Sequence, residues 1–106
     1  MFARRVTMHL KPESAAKFPE VLEKEILPLL RKQSGFQDEM VFLSQDGTKA
    51  WALSLWDRKE SADTYVRETY PQIEKLVTPL VEGTPNVGSY NVLNSTFHKV
   101  AAPASA

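Results

Sequence analysis

The alternation of apolar and polar residues at the start of the chain predicts a β-strand from Phe2 to Leu10. Val6 and Met8 alternate with polar residues, and this period of two places one side of a strand in a core. The Lys-Pro-Glu run that begins at Lys11 ends the strand, because proline has no backbone N–H to donate to a sheet.

Apolar residues at spacings of three and four then predict one amphipathic helix from Ser14 to about Gln33. Its apolar positions are Phe18, Leu22, Ile26, Leu29 and Leu30. Ser14 is a suitable N-terminal cap, and Gly35 is typical of the residue that follows a helix end. Pro28 lies inside the helix and is expected to kink it, since proline lacks an N–H and crowds the carbonyl of Lys24.

Two strands joined by a tight turn are predicted next. The segments 36–44 and 49–56 are rich in apolar residues, and Asp46-Gly47 lies between them. Asp-Gly is typical of the hairpin turns whose twist matches that of the flanking strands. We therefore expect the second and third strands to pair in an antiparallel manner.

A second amphipathic helix, interrupted by a proline, follows this hairpin. Asp57-Arg58-Lys59-Glu60 has the form of a capping box, in which the Asp57 carboxylate accepts a backbone N–H of the first turn. Pro71 interrupts the helix after Tyr70, and the apolar pattern resumes over residues 73–81. The last predicted strand covers residues 86–98.

The resulting order, β-α-β-β-α-β, is the ferredoxin-like α+β arrangement. Right-handed crossovers place both helices on one face of a four-stranded antiparallel sheet. We predict a single domain over residues 1–100 and a flexible tail at 101–106. The other sheet face has no helix to cover it and is partly apolar, which favours a homodimer through that face. A solvated sheet face is the alternative interpretation.

The composition excludes several classes of protein. The chain has 106 residues, 13 basic and 13 acidic side chains, and no cysteine. A net charge of zero argues against a general nucleic-acid-binding protein, and the lack of cysteine excludes disulfide frameworks and thiolate zinc sites. No apolar run is long enough to span a membrane. We expect a cytoplasmic protein with no nucleic-acid or membrane partner.

His9 and His98 are the only histidines. The predicted sheet places them far apart, so we expect no metal site. His9 has the same strand parity as Arg5 and Thr7, opposite to that of Val6. It is either a histidine of the sheet face or rim, or a base in a pocket, since its ordinary pKa of about 6.5 suits proton transfer at neutral pH.

Four aromatic residues are candidates for a pocket. Trp51 and Trp56 lie on opposite faces of the third strand because their positions differ by five, an odd number, and either could be a core residue. Small residues share the Trp56 side and could leave a hollow: Ala50, Ala52 and Ser54. Tyr65 and Tyr70 flank the proline break, which can open a cavity where phenol hydroxyls position an aromatic ligand. Their alternative role is structural.

The order of elements, the Leu-Trp-Asp-Arg-Lys-Glu stretch at 55–60 and the helix from Tyr65 to Tyr70 resemble the antibiotic biosynthesis monooxygenase (ABM)-like family of dimeric α+β barrel proteins. The resemblance covers about residues 3–98. It implies a homodimer whose open sheets face each other and a small pocket between sheet and helices in each subunit. Characterised members oxidise polycyclic phenols or quinols with oxygen and no bound cofactor, or degrade haem.

The haem-degrading branch matches this chain poorly. Its strand-one asparagine falls on Val6, its second-helix tryptophan falls near Tyr65, and its haem-ligating histidine falls near Glu74. Glutamate is a poor substitute for a neutral imidazole on haem iron, so haem degradation is disfavoured. The phenol-oxidising branch has asparagine, tryptophan and tyrosine around an aromatic pocket. Trp56, Tyr65 and Tyr70 could supply the aromatic residues, but no asparagine matches.

Two classes of function follow. The first is a cofactor-independent monooxygenase that acts on a small phenolic or quinol compound, with His9 and Tyr65 as catalytic residues and Trp56, Tyr65 and Tyr70 in the substrate pocket. The deprotonated substrate would itself supply the electrons, held as a phenolate in a dry pocket. The second is a non-catalytic homodimeric domain that binds a small ligand or only assembles.

Overall fold

The structure, a computed structural model, describes residues 1–100, so the tail predicted at 101–106 lies outside the described residues. The strands are β1 (Phe2–Leu10), β2 (Phe36–Leu43), β3 (Lys49–Trp56) and β4 (Val81–Asn91). The α-helices are α1 (Lys17–Val21), α2 (Leu27–Arg31), α3 (Lys59–Glu68) and α4 (Tyr70–Val77). Shorter turns complete the order: two 3₁₀ turns (Pro12–Ser14, Thr78–Leu80) and one π turn (Leu22–Ile26).

The four strands form one antiparallel sheet in the order β2-β3-β1-β4, with the helices on one face. This confirms the predicted ferredoxin-like α+β fold. Residues paired across neighbouring strands point to the same face, so the register assigns each side chain to one side. Phe2 pairs with Trp56, and both lie in the core under the helices.

The first helical region differs from the single helix predicted from Ser14. Ser14 is buried at the end of a 3₁₀ turn, and α1 begins at Lys17 without a side-chain cap. The predicted kink takes the form of the π turn, in which the N–H of Leu27 bonds to the carbonyl of Leu22. The widened turn precedes Pro28, whose ring cannot fit a regular i to i−4 ladder.

The hairpin between β2 and β3 forms as predicted. Gly47 has a φ of +75°, a conformation that glycine adopts without steric cost. Asp46 accepts hydrogen bonds from the hydroxyls of Ser44 and Thr48 over 2.8 and 2.7 Å. These bonds and one from the Thr48 amide lower the pKa of Asp46 to about 2.

The break at Pro71 is confirmed, because α3 ends at Glu68 and α4 begins at Tyr70. The predicted capping box is wrong: α3 follows Arg58, and no side chain caps it. The last strand begins at Val81 and ends at Asn91, five residues before the predicted start and seven before the predicted end. Its start is set by pairing with the end of β1, where Val81 lies opposite Leu10, and not by its own weak alternation.

The two tryptophans lie on opposite faces of the sheet, as predicted. Trp56 is fully buried under the helices, whereas Trp51 on the other face is 48% exposed. The open face carries exposed apolar side chains, here called the open-face patch: Met40, Phe42, Trp51 and Tyr90. Within residues 1–100, no helix has both the length and the apolar character needed to cross a membrane.

Candidate active site

A cavity of about 60 Å³ lies between the helix-covered face of the sheet and the helices. This is room for roughly four to six ordered waters, and it is less than half the volume of a cavity of roughly 150 Å³ that takes up benzene. Most of the lining is apolar and comes from both layers, including Val6, Met8, Phe18, Leu22, Ile26 and Ile73. Polar side chains also line it: Arg4, Glu39, Ser54, Tyr65, Tyr70 and Glu74.

The sheet register brings three of these polar residues together. Ser54 on β3 is the cross-strand partner of Arg4 on β1 and of Glu39 on β2. Side chains directly opposite each other share a face, so all three project toward the helices. They form a polar row across three adjacent strands at the floor of the cavity.

Arg4 is a buried cation that is 6% exposed. Its guanidinium carbon lies 4.1 Å from the centroid of the Tyr70 ring and 5.9 Å from that of Tyr65. Within residues 1–100, the ion pairs join Lys59 to Asp63 and His98 to Asp38, and none involves Arg4. The tyrosine faces therefore provide the principal stabilisation of this charge.

Glu39 faces the cavity from β2 and is partly buried. Burial raises the pKa of its carboxyl to about 8, and the charge of nearby Asp38 acts in the same direction. The Arg4 cation opposes this shift without cancelling it. At pH 7 the carboxyl is mostly protonated, and it can exchange a proton close to neutral pH.

Tyr65 lines the cavity from α3 and is 4% exposed. Its ring packs against Trp56 with centroids 4.9 Å apart and against Tyr70 with centroids 6.0 Å apart. Desolvation raises the pKa of the Tyr65 phenol well above its ordinary value of 10. Its hydroxyl therefore stays neutral at physiological pH and can act as a hydrogen-bond donor.

Trp56 lies behind Tyr65 and is not among the lining residues. Its indole N–H donates to the Ser54 hydroxyl oxygen over 2.9 Å. The Ser54 hydroxyl in turn donates to the backbone carbonyl of Arg4 over 3.4 Å. Of the predicted pocket residues, Tyr65 and Tyr70 thus line the cavity, and Trp56 supports Tyr65 from behind.

The two histidines lie outside the cavity. His9 is exposed at the end of β1, paired with Lys49 and Glu82, and the structure does not bring it near Tyr65. His98 Nε2 lies 3.2 Å from a carboxylate oxygen of Asp38. Among residues 1–100, no three potential metal ligands cluster together. The role of His9 as a base stays a prediction that has no contact in the cavity to support it.

Arg4 and Glu39 are site residues that the sequence reasoning missed. Arg4 has the strand parity of Val6 and Met8, and Glu39 has the parity of Val41, so both are inward-facing positions. A charged residue at an inward position of a strand indicates a functional site, because an unpaired buried charge destabilises a core. For Arg4 that signal was present in the alternation that predicted β1. β2 was predicted from its apolar content and the following turn, which assign no face to Glu39.

No protein-family model and no curated protein sequence matches this chain. Its fold, however, is shared by solved structures. A protein of unknown function from Nitrosomonas europaea has a TM-score of 0.75 at 17% identity, covering 96% of this chain and 95% of that one. A monooxygenase from the ActVA-Orf6 gene of Streptomyces coelicolor, in complex with nanaomycin D, has a TM-score of 0.72 at 18% identity, covering 97% and 92%.

A third structure is SnoaB, a cofactor-independent oxygenase from Streptomyces nogalater, with a TM-score of 0.74 at 14% identity, covering 90% of this chain and 95% of that one. The chain shares its fold with these oxygenases and with solved structures named as antibiotic biosynthesis monooxygenases. The resemblance inferred from the sequence is thus confirmed for the fold. At these identities it leaves the reaction and the substrate to be argued from the cavity.

Proposed function

We propose that this chain is a cofactor-independent monooxygenase that oxidises a small phenolic or quinol compound in the cavity. The observation that carries the proposal is that Glu39 and the Arg4 cation lie on either side of Ser54 in a mostly apolar cavity. Burial there raises the pKa of Glu39 to about 8, which suits a base near neutral pH. The oxygenases with the same fold support it.

The substrate is its own reductant in this scheme. A phenol that is the enol form of a ring methylene loses its O–H proton to the ionised fraction of Glu39. The resulting anion transfers an electron to O₂, and a carbon–oxygen bond forms at the ring carbon. The peroxide takes up a proton and loses water as its O–O bond breaks, which leaves a carbonyl. One CH₂ group and one O₂ become one C=O group and one H₂O.

Each polar residue has a physical role in this reaction. The guanidinium of Arg4 stabilises the phenolate electrostatically, and the low-dielectric cavity strengthens that interaction. The neutral Tyr65 hydroxyl is a hydrogen-bond donor to a substrate oxygen. Trp56 is a positioning residue that holds the Tyr65 ring. The scheme assigns the base to Glu39 in place of His9, because His9 lies away from the cavity.

We also propose that the chain forms a homodimer through the open-face patch. Phe42 and Trp51 are cross-strand neighbours, 52% and 48% exposed. Aromatic side chains exposed side by side on a sheet face form a surface that a second copy can cover by two-fold symmetry.

A second candidate function is non-catalytic binding of a single-ring ligand. The small cavity supports it, because a volume of about 60 Å³ is well below that of most ligand pockets and leaves room for a small ligand only, with some widening even for one ring. A polycyclic substrate would require the helices to move away from the sheet. The π turn at Leu22–Ile26, which lies in the cavity wall, is the irregular part of that layer.

Oxygen uptake tests the proposed reaction. The purified chain is incubated with a hydroquinone, a tricyclic phenol and an aliphatic alcohol, and enzyme-free samples correct for autoxidation. Consumption of one O₂ per carbonyl formed is expected with a phenolic compound, and Glu39→Gln is expected to lower the rate at least about 100-fold as a lost general base. Glu74→Gln, an exposed residue of the same lining, is the matched control. Uptake no faster than autoxidation with every phenol overturns the proposal.

A further inference from the structure

The strongest unassigned feature of the cavity is the unmatched charge of Arg4. Its side chain is more than nine-tenths buried, yet no carboxylate among residues 1–100 lies within ion-pair distance of it. A buried guanidinium that forms no ion pair is destabilising to the empty protein. Such a group is well suited to an anionic part of a ligand that enters the cavity.

The geometry of Arg4 leaves its hydrogen-bond donors available. The guanidinium carbon lies over the Tyr70 ring, 4.1 Å from its centroid, and 5.9 Å from the centroid of the Tyr65 ring. Among the side-chain hydrogen bonds of residues 1–100, Arg4 takes part only through its backbone carbonyl, so its guanidinium N–H donors are not engaged there. A carboxylate matches two parallel N–H donors of a guanidinium in a fork-like pair.

Other ionisable groups leave this positive charge uncompensated at neutral pH. Burial raises the pKa of Glu39 to about 8, so this carboxyl is mostly neutral at pH 7. Tyr65 is neutral as well, because burial also raises its pKa. Glu74 lines the cavity but is exposed, so solvent screens its charge. The groups that face Arg4 across the cavity are Glu39, Tyr65, Tyr70 and Glu74. Asp38 adjoins Glu39 in sequence but pairs with Leu55 on the opposite face of the sheet, where its carboxylate lies beside His98.

The size of the cavity limits what can accompany the anion. At about 60 Å³ the cavity is smaller than the roughly 150 Å³ cavity that takes up benzene, so a single ring enters only if the apolar walls widen, and a larger ring system would need a greater displacement. We propose that the cavity binds a single-ring aromatic carboxylate, with the carboxylate paired to the Arg4 guanidinium and the ring against Val6, Met8 and Ile73. This subsite shares the cavity of the proposed function but requires no oxidation, so the two can fail separately.

Calorimetric titration with benzoate and its neutral analogue benzamide tests the subsite. At pH 6.5 we expect benzoate to bind at least about tenfold more tightly than benzamide, as for a charge-assisted pair. Arg4→Met keeps most of the side-chain volume and is expected to abolish that preference. Arg5→Met is the matched control, because Arg5 is the neighbouring residue on the open face, near Trp51. Equal binding of benzoate and benzamide to the native chain overturns the proposal.

The pH dependence provides a second readout on the native chain, which holds even if Arg4→Met does not fold. Ionisation of Glu39 near pH 8 puts a negative charge beside the bound carboxylate. Benzoate affinity is therefore expected to fall about tenfold between pH 7 and pH 9, and Glu39→Gln is expected to remove this fall. Affinity that is constant over this range contradicts the subsite.

The two proposals give distinguishable results. Benzoate binding without oxygen uptake from any phenol supports the subsite and overturns the monooxygenase proposal. Oxygen uptake without a preference for benzoate over benzamide supports the monooxygenase proposal and overturns the carboxylate subsite. Hexanoate, which has the carboxylate but no ring, tests the ring itself, and binding as tight as that of benzoate overturns the aromatic part of the proposal.

Discussion

The guanidinium of Arg4 and the ring of Tyr70 face each other at 4.1 Å across the two layers of the fold. Arg4 comes from the first strand of the sheet, and Tyr70 is the first residue of α4. Pro71 separates α3 from α4 and so fixes where Tyr70 enters the helical layer. The proline break that interrupts the helix is thus what supplies the aromatic face for the buried cation.

Tyr70→Leu is expected to destabilise the protein by about 2 kcal/mol, the magnitude of a desolvated cation–π interaction. Tyr70→Phe, which keeps the ring, is expected to change stability by less than about 0.5 kcal/mol. Tyr70→Phe is therefore the matched control, because it keeps the aromatic face beside Arg4. Urea unfolding measures both variants, and a loss in Tyr70→Leu no larger than in Tyr70→Phe would contradict the buried interaction.

Glu39→Gln is expected to stabilise the protein at pH 8 but not at pH 4. The Glu39 carboxyl has a pKa of about 8 in the folded chain against 4.5 ordinarily. Between these values the folded chain binds more protons than the unfolded chain, so its stability falls as pH rises. Glutamine does not ionise, so the variant does not lose stability in this way as the pH rises. Because the side chain is only partly buried, solvent screening reduces the expected gain to about 1–3 kcal/mol at pH 8.

Chemical denaturation at pH 4, 6 and 8 provides the measurement. Glu74→Gln serves as the control, because Glu74 lines the same cavity but is exposed to solvent. A gain for Glu39→Gln that does not depend on pH would mean that the Glu39 carboxyl is not held in its protonated form.

Periodicity located most of the fold because strands and helices differ in period. The odd separation of Trp51 and Trp56 correctly predicted their opposite faces, and Pro71 correctly predicted the helix break. Periodicity does not predict where strands that are distant in sequence pair with each other. Val81 joins β4 because Leu10 lies opposite, a tertiary relationship that its own neighbours do not encode.

The position of the cavity between sheet and helices could be predicted, but only some of the residues that line it could. Tyr65 was predicted because it flanks the proline break of the second helix and lies in a segment that resembles the ABM-like family. Arg4 was missed because alternation was used to find apolar positions, whereas a charge on the inward parity was the informative exception. Glu39 was missed because the apolar content that predicted β2 assigns no face to it. Arg4 and Glu39 lie close together because each pairs with Ser54 on the strand between them. This depends on the strand order, which brings residues from three separate segments side by side.

Gly35→Ala is expected to destabilise the protein by about 2–3 kcal/mol. Gly35 has a φ of +81°, and an added Cβ would collide with the side chains of Asp57 and Ser61. Gly83→Ala separates the two effects, because Gly83 has a φ of +70° but no atom within 4 Å of an added Cβ. It is expected to lose only about 1 kcal/mol, the cost of the left-handed backbone. Equal losses in thermal or urea unfolding would show that the collision near Asp57 is relieved.

Phe42→Lys is expected to dissociate the proposed homodimer. Phe42, on β2, the edge strand of the open-face patch, lies opposite Trp51, and a lysine in a dimer interface there would bury a charge without a partner. Light scattering coupled to size-exclusion chromatography at micromolar concentration should give twice the chain mass for the native protein and the chain mass for the variant. Val66→Lys changes an exposed apolar residue of α3 on the other side of the sheet and should leave the dimer intact. A native chain that elutes at the mass of one copy would instead leave Phe42 and Trp51 as a solvated sheet face.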